Sequence, residues 1–150
     1  MYSKEEAKKM RNEFWDSFRL YSSSRRRRKG KPGNWMMDAT GIRAVNLKFH
    51  FDTESALVGL DIETGSLDKR IELFERMEGL KKLLDQAMET EMTWELDYVR
   101  ENGKSVSRIF TLIRDVSIYE RETWPLVMKF FFDKMSRLEE FFIEYKDYIR

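Results

Sequence analysis

IRAVNLKFHFDTESALVGLDI, residues 42–62, decides the fold. Val45, Leu47, Phe49 and Phe51 alternate with Ala44, Asn46, Lys48 and His50, the period-two pattern of a strand with one face on a core. Asp52-Thr-Glu-Ser55 has turn composition. Ala56, Val58, Leu60 and Ile62 then resume the alternation, with Leu57, Gly59 and Asp61 opposite. An antiparallel pair with one strongly apolar face follows, and such a face has to be covered by helices.

The flanking sequence supplies them. Upstream, Ser3 and Glu6 form a capping box, and Ala7, Met10, Phe14, Phe18 and Tyr21 recur at helical spacing. The helix is predicted to stop near Ser22, and the Ser-, Arg- and Gly-rich segment 22–34 reads as a basic mobile loop. Trp35-Met-Met-Asp38 reads as a short first strand ahead of the pair. Downstream, Ser66 caps one long helix whose stripe is Leu67, Ile71, Phe74, Met77, Leu80, Leu84 and Ala87. Met92, Trp94, Leu96 and Tyr98 alternate into a hairpin turning at Asn102-Gly103, and residues 106–113 return. Thr123-Trp-Pro125 opens a last helix, with Val127, Phe130, Phe131, Met135, Leu138, Phe142, Tyr145 and Ile149 on its buried side. The predicted order is α-β-β-β-α-β-β-α in a single α+β domain, 1–150: a mainly antiparallel sheet of about five strands with three helices.

Composition narrows the function classes. The 150 residues are 41% hydrophobic and 14% aromatic, enough for a core despite 37% charged residues. The net charge of +1 gives no global field to recruit an anionic partner. Six cations crowd the seven positions from Arg25 to Lys31, and without them the chain sums to −5, so basic character is local. There is no cysteine, which excludes disulfides, thiolate metal sites and cysteine nucleophiles. MYSKEEAKKM lacks the apolar region of a secretory signal, and no apolar run is long enough to span a bilayer, so a soluble cytoplasmic protein without a membrane partner is expected.

Asn34-Trp35 with Gly41-Ile42, the stretch 67–84 around Phe74, Trp94-Glu95-Leu96, Ser107-Arg108-Ile109 and Trp124-Pro125 occur in an order and spacing that resembles the bacterial "domain of unknown function 4268" family over nearly the whole chain. The resemblance implies an α+β domain that occurs alone or appended to other modules, some of which look like restriction-type nucleases. It implies no established activity. The insert Arg25–Lys31 is not part of the recognised pattern.

Several residues are candidates for chemistry. The core order is similar to that of the PD-(D/E)xK nucleases, which hold Mg²⁺ with acids on neighbouring strands. Asp52, Asp61 and Glu63 are the candidate catalytic and metal-ligating set, with Glu63 standing where that motif has lysine. Ordinary turn chemistry at Asp52 and a helix entry after Glu63 explain the same acids without a metal. Under any other reading no cofactor is expected. His50, the only histidine, reads as a surface residue or as a general base beside Asp61. Arg108 shares the face of Val106 and Phe110, where it either pairs with Asp61, Glu63 or Glu95 or receives an anion. Arg25, Arg26, Arg27, Arg28, Lys29 and Lys31 are candidates for a salt-sensitive grip on nucleic acid, or form a solvated loop with no partner. Trp35, Trp94 and Trp124 read as core anchors before base-stacking platforms. The run Phe130-Phe131-Phe132 exceeds one helix face, so Phe132 or Phe141 is expected in an exposed patch contacting another protein or a second copy. The favoured reading is a non-catalytic binding or accessory module in nucleic-acid-linked work; the alternatives are a divergent Mg²⁺-dependent nuclease and a protein-interaction subunit.

Overall fold

A computed structural model describes residues 2–31 and 33–150; Pro32, in the predicted basic loop, lies outside the described residues. Four strands, β1 (Val45–Phe51), β2 (Ser55–Ile62), β3 (Thr93–Val99) and β4 (Ser105–Arg114), form one antiparallel sheet in the order β1-β2-β4-β3. The helices are α1 (Lys4–Arg28), α2 (Leu67–Glu78), α3 (Lys81–Met88) and α4 (Trp124–Ile149), with a 3₁₀ turn at Arg121–Thr123. The expected α+β class with an antiparallel sheet holds, with four strands and four helices in place of five and three.

Each difference has a local cause. Residues 35–38 are no strand: Met37 sits at φ 25°, and its carbonyl accepts the Leu47 N–H at 2.8 Å, so the segment lies across the edge of β1 as irregular chain. The predicted second helix divides at Gly79-Leu80 into α2 and α3, while Leu80 stays buried and keeps the apolar stripe continuous. The first helix runs six residues past Ser22. The hydroxyls of Ser22 and Ser24 bond back to the carbonyls of Arg19 and Tyr21, so the serines are satisfied inside the helix, and four arginines face the negative end of its dipole. The stop is Gly30 (φ 72°): Lys31 N–H reaches Arg26 O at 2.8 Å and Gly30 N–H reaches Arg27 O at 3.1 Å, the two bonds of a Schellman motif.

Val45, Leu47 and Phe51 of β1, Val58, Leu60 and Ile62 of β2 and Ile109 of β4 face the helices as the alternation predicts. Phe14 is fully buried against Phe51 (4.7 Å), Trp124 (5.4 Å) and Phe131 (6.1 Å), joining α1 and α4 to the sheet. The patch expected at Phe132 or Phe141 is absent, since both are buried. Phe132 packs on Trp35 at 5.7 Å and Phe141 on Tyr145 at 4.7 Å, because α4 is covered on more than one side. Large side chains that α4 does expose are Leu126, Ile143 and Tyr148. No helix of the described residues is long and apolar enough to cross a membrane.

Gly59 sets the closeness of β2 and β4. A Cβ there would fall on the Ile109 carbonyl oxygen and 2.6 Å from Phe110 Cβ, so any side chain forces the central strands apart. Gly59→Ala is expected to cost about 1–3 kcal/mol, the range for overpacking a close contact, read as a lower midpoint in urea unfolding.

Candidate functional site

The sheet face away from the helices carries the candidate chemistry. Asp61 points there because Leu60 and Ile62 point to the core, and it is fully buried. Its cross-strand neighbour is Arg108, which donates Nε to Oδ1 at 2.6 Å and Nη2 to Oδ2 at 2.9 Å. Arg100, from the β3–β4 hairpin, adds Nη2 to the same Oδ2 at 2.8 Å and reaches both oxygens of Glu63 at 3.0 Å. Lys104 closes on Glu63 Oε1 at 3.0 Å. Two carboxylates and three cations thus form one network, with Arg108 held internally by Asp61.

Electrostatics follows this geometry. Burial works against the charge on Arg108 and Arg100, but hydrogen bonds to Asp61, and for Arg100 also to Glu63, outweigh it and hold both pKa values above the ordinary one. Hydrogen bonds from Arg100 and then Lys104 hold the Glu63 carboxyl below its usual range.

A β-bulge brings Tyr98 into the group. Glu95 pairs with Arg108 and Tyr98 with Val106, so Leu96 and Asp97 together oppose Ser107. The extra residue ends the predicted alternation: Tyr98 leaves the face of Trp94 and Leu96, and its ring stacks under the Arg108 guanidinium, 4.0 Å from carbon to centroid. The bulge is held by Arg70 of α2, a buried side chain donating to Leu96 O at 2.6 Å and Asp97 Oδ1 at 3.0 Å. Tyr98, Arg100 and Arg70 were not singled out from sequence. The one signal was Arg100 and Lys104 flanking the Asn102-Gly103 turn.

Asp52 does not join Asp61 and Glu63. It sits in the β1–β2 turn, and Asp61 lies near the other end of β2, about 20 Å along the strand at 3.3 Å per residue. Its Oδ1 accepts the N–H groups of Glu54 (2.8 Å) and Ser55 (2.9 Å), and its Oδ2 meets His50 Nε2 at 3.2 Å. Burial alone would raise its pKa; the two N–H bonds and His50 bring it below the usual value. His50 therefore partners Asp52, not Asp61. Among the described residues no three His, Cys, Asp or Glu side chains are grouped to hold a metal ion.

The six cations of the basic run separate into different roles. Arg26 is buried: Nη1 pairs with Glu139 Oε1 at 2.8 Å, Nε and Nη2 reach the carbonyls of Gly33 and Asn34, and the guanidinium covers the Trp35 ring at 4.3 Å. Glu139 Oε2 in turn accepts the Met36 N–H at 2.9 Å. Arg25 lies on the Tyr21 ring at 3.5 Å, Lys29 is 5.2 Å from the Phe132 ring centroid, and Lys31 pairs with Glu140 at 3.0 Å. Arg27 and Arg28 are exposed and have no side-chain hydrogen bond or ion pair among the described residues. Of the tryptophans, Trp124 is a core anchor donating to Ile118 O, Trp94 packs edge-on to Phe74, and Trp35 lies beneath Arg26.

Residues 10–146 match the model of a family described as "Domain of unknown function (DUF4268)". The chain belongs to that family. No curated protein and no solved structure matched in the corresponding comparisons. The matched span of the DUF4268 domain includes both the Asp61–Arg108 network and the α1 terminus.

Two predictions test these assignments. Arg26→Ala leaves Glu139 buried without its cation and is expected to cost about 3–5 kcal/mol, whereas Arg26→Met with Glu139→Leu removes both charges and should cost much less than the two single changes together; urea unfolding of the four proteins measures the coupling. Because the folded-state pKa of Glu63 is depressed, its pairing stabilises the fold fully above the ordinary value of 4.5 and is lost as pH falls through the lower folded value. Glu63→Gln should flatten that acid-side loss of stability in a pH series of thermal melts.

Proposed function

We propose that this DUF4268 domain is a non-catalytic accessory module that binds nucleic acid through the C-terminal turn of α1. The observation that carries the reading is the pair Arg27 and Arg28, beside Lys29, exposed on a helix end whose position is fixed by the buried Arg26–Glu139 pair. Cations on a held helix end meet a phosphate backbone with less ordering cost than cations on a mobile loop. Contacts of this kind fix no sequence, which suits a module that holds nucleic acid for a partner acting on it. The nuclease-like modules implied by the family resemblance are partners of the right kind, and a bacterial cytoplasmic setting fits a cysteine-free chain.

The Mg²⁺-dependent nuclease reading has less support. Asp61 and Glu63 spend their oxygens on Arg100, Arg108 and Lys104, and Asp52 is engaged in its own turn. A metal would have to displace guanidinium groups already seated in bidentate geometry.

Fluorescence anisotropy with a labelled DNA duplex across a KCl series tests the proposal. Affinity should fall steeply with salt, and Arg27→Ala/Arg28→Ala/Lys29→Ala should reduce the slope of log K against log salt by about three. Binding indifferent to salt and to these substitutions would remove α1 from the function.

A further inference from the structure

The hairpin of β3 and β4 leaves a cleft of about 390 Å³ on the sheet face opposite α1, running from His50 past Tyr98 to Arg100 and Arg108. The faces are opposite because Phe14 and Phe18 of α1 pack on Phe51 and Phe49, which alternate with His50. The cleft is not simply a by-product of the ion network. Asp61 takes the Nε and Nη2 donors of Arg108, and Nη1 of this buried guanidinium has no hydrogen-bond partner among the described residues. Arg108 is thus a cation aimed by a carboxylate at one end, with donors left over at the other, in the wall of a cleft. Two flat rings also line the cleft, Tyr98 against the guanidinium and His50 farther along the sheet. Tyr98 is turned onto this face by the bulge, and the imidazole of His50 is steadied by Asp52 at 3.2 Å.

We propose that this cleft binds a nucleotide, with its phosphate at Arg108 and Arg100 and its base against Tyr98 and His50. A guanidinium with free donors recognises a phosphate, and flat aromatic side chains take a base by stacking with little regard to its identity. The surrounding charge agrees. Among the described residues the lining carries Arg100 and Arg108 against the single acid Glu101, a net positive charge. The volume falls within the range of about 300–1,000 Å³ typical of small-ligand sites. The site does not depend on nucleic acid binding at α1, because the two surfaces lie on opposite sides of the sheet.

Titration of the ¹⁵N-labelled protein with adenosine 5′-monophosphate, adenosine and inorganic phosphate tests it. The monophosphate should bind saturably at millimolar concentration or below, shifting the amides of Tyr98, Arg100 and Arg108. Adenosine alone and phosphate alone should each bind about tenfold more weakly or worse, since each lacks one half of the contact. His50→Ala, at an exposed position, and Tyr98→Leu should each weaken binding by about tenfold. Asp61→Ala/Arg108→Ala, which removes both buried charges together and so avoids stranding either, should abolish it. Arg27→Ala/Arg28→Ala/Lys29→Ala should leave it unchanged, so that failure at α1 and failure here are told apart. In the Arg27→Ala/Arg28→Ala/Lys29→Ala protein, a short oligothymidylate with a 5′-phosphate, compared with the same strand lacking it, identifies the source: 5′-phosphate-dependent binding tighter than the monophosphate assigns a strand end, and equal or weaker binding assigns a free nucleotide. No saturable binding, adenosine or phosphate as tight as the monophosphate, or affinity unmoved by the His50 and Tyr98 substitutions would overturn the proposal.

Discussion

A carboxylate with no solvent exposure in a central strand is the constraint around which one face of this domain is built. Asp61 stands between β1 and β4, where an unpaired charge would cost several kcal/mol. Arg108 answers it across the strand pair, and Arg100 answers it from the hairpin. Once both guanidinium groups are committed, the hairpin has to stay over the sheet, Glu63 and Lys104 are drawn into the same network, and Tyr98 acquires a cation to stack on. Neutralising that one acid places Arg100 and Arg108 in the wall of the cleft.

Buried arginines repeat the device elsewhere. Arg26, Arg70 and Arg108 are all buried, each meets a carboxylate, and two of them also hold backbone carbonyls where the chain is irregular. Arg26 ties residues 33–36 to α1 and α4, and Arg70 ties the bulge of β3 to α2. A planar fork with five donors suits this work better than lysine, because one side chain can satisfy an acid and two carbonyls at once. The 33–38 segment and the bulge are the places where regular hydrogen bonding fails, so guanidinium groups substitute for ladder partners there.

The same observation explains what was legible in the sequence. Period-two and helical patterns located β1, β2, β4, α2–α3 and α4, because burial on one face leaves a direct trace in residue order. The pairing of Arg108 with Asp61 was among the alternatives that alternation allowed, since both residues point away from the core. The bulge left no such trace: Met92, Trp94, Leu96 and Tyr98 alternate without a break, and the contacts that hold residue 98 on the other side, from Arg70, Arg108 and Phe110, are tertiary. Arg26 was hidden in the opposite way. Surrounded by five other cations it reads as solvated charge, yet Glu139, 113 residues away, takes it out of water. Local composition cannot carry a contact of that range, and the helix was therefore expected to end before it.

Removing Arg26 from the basic run changes what the run can do. A loop of six equivalent cations would be a diffuse polyelectrolyte, strong only in number. Here one arginine anchors, Arg25 and Lys29 lie against aromatic rings, Lys31 is paired, and Arg27 and Arg28 project from a fixed helix end. On the opposite face, Asp61 likewise fixes Arg108 and leaves Nη1 without a hydrogen-bond partner among the described residues. Both surfaces thus use an internal acid to orient a cationic group, and their separation by the sheet means that neither can serve as the other's missing half. A ligand that engaged both would have to pass around the sheet edge.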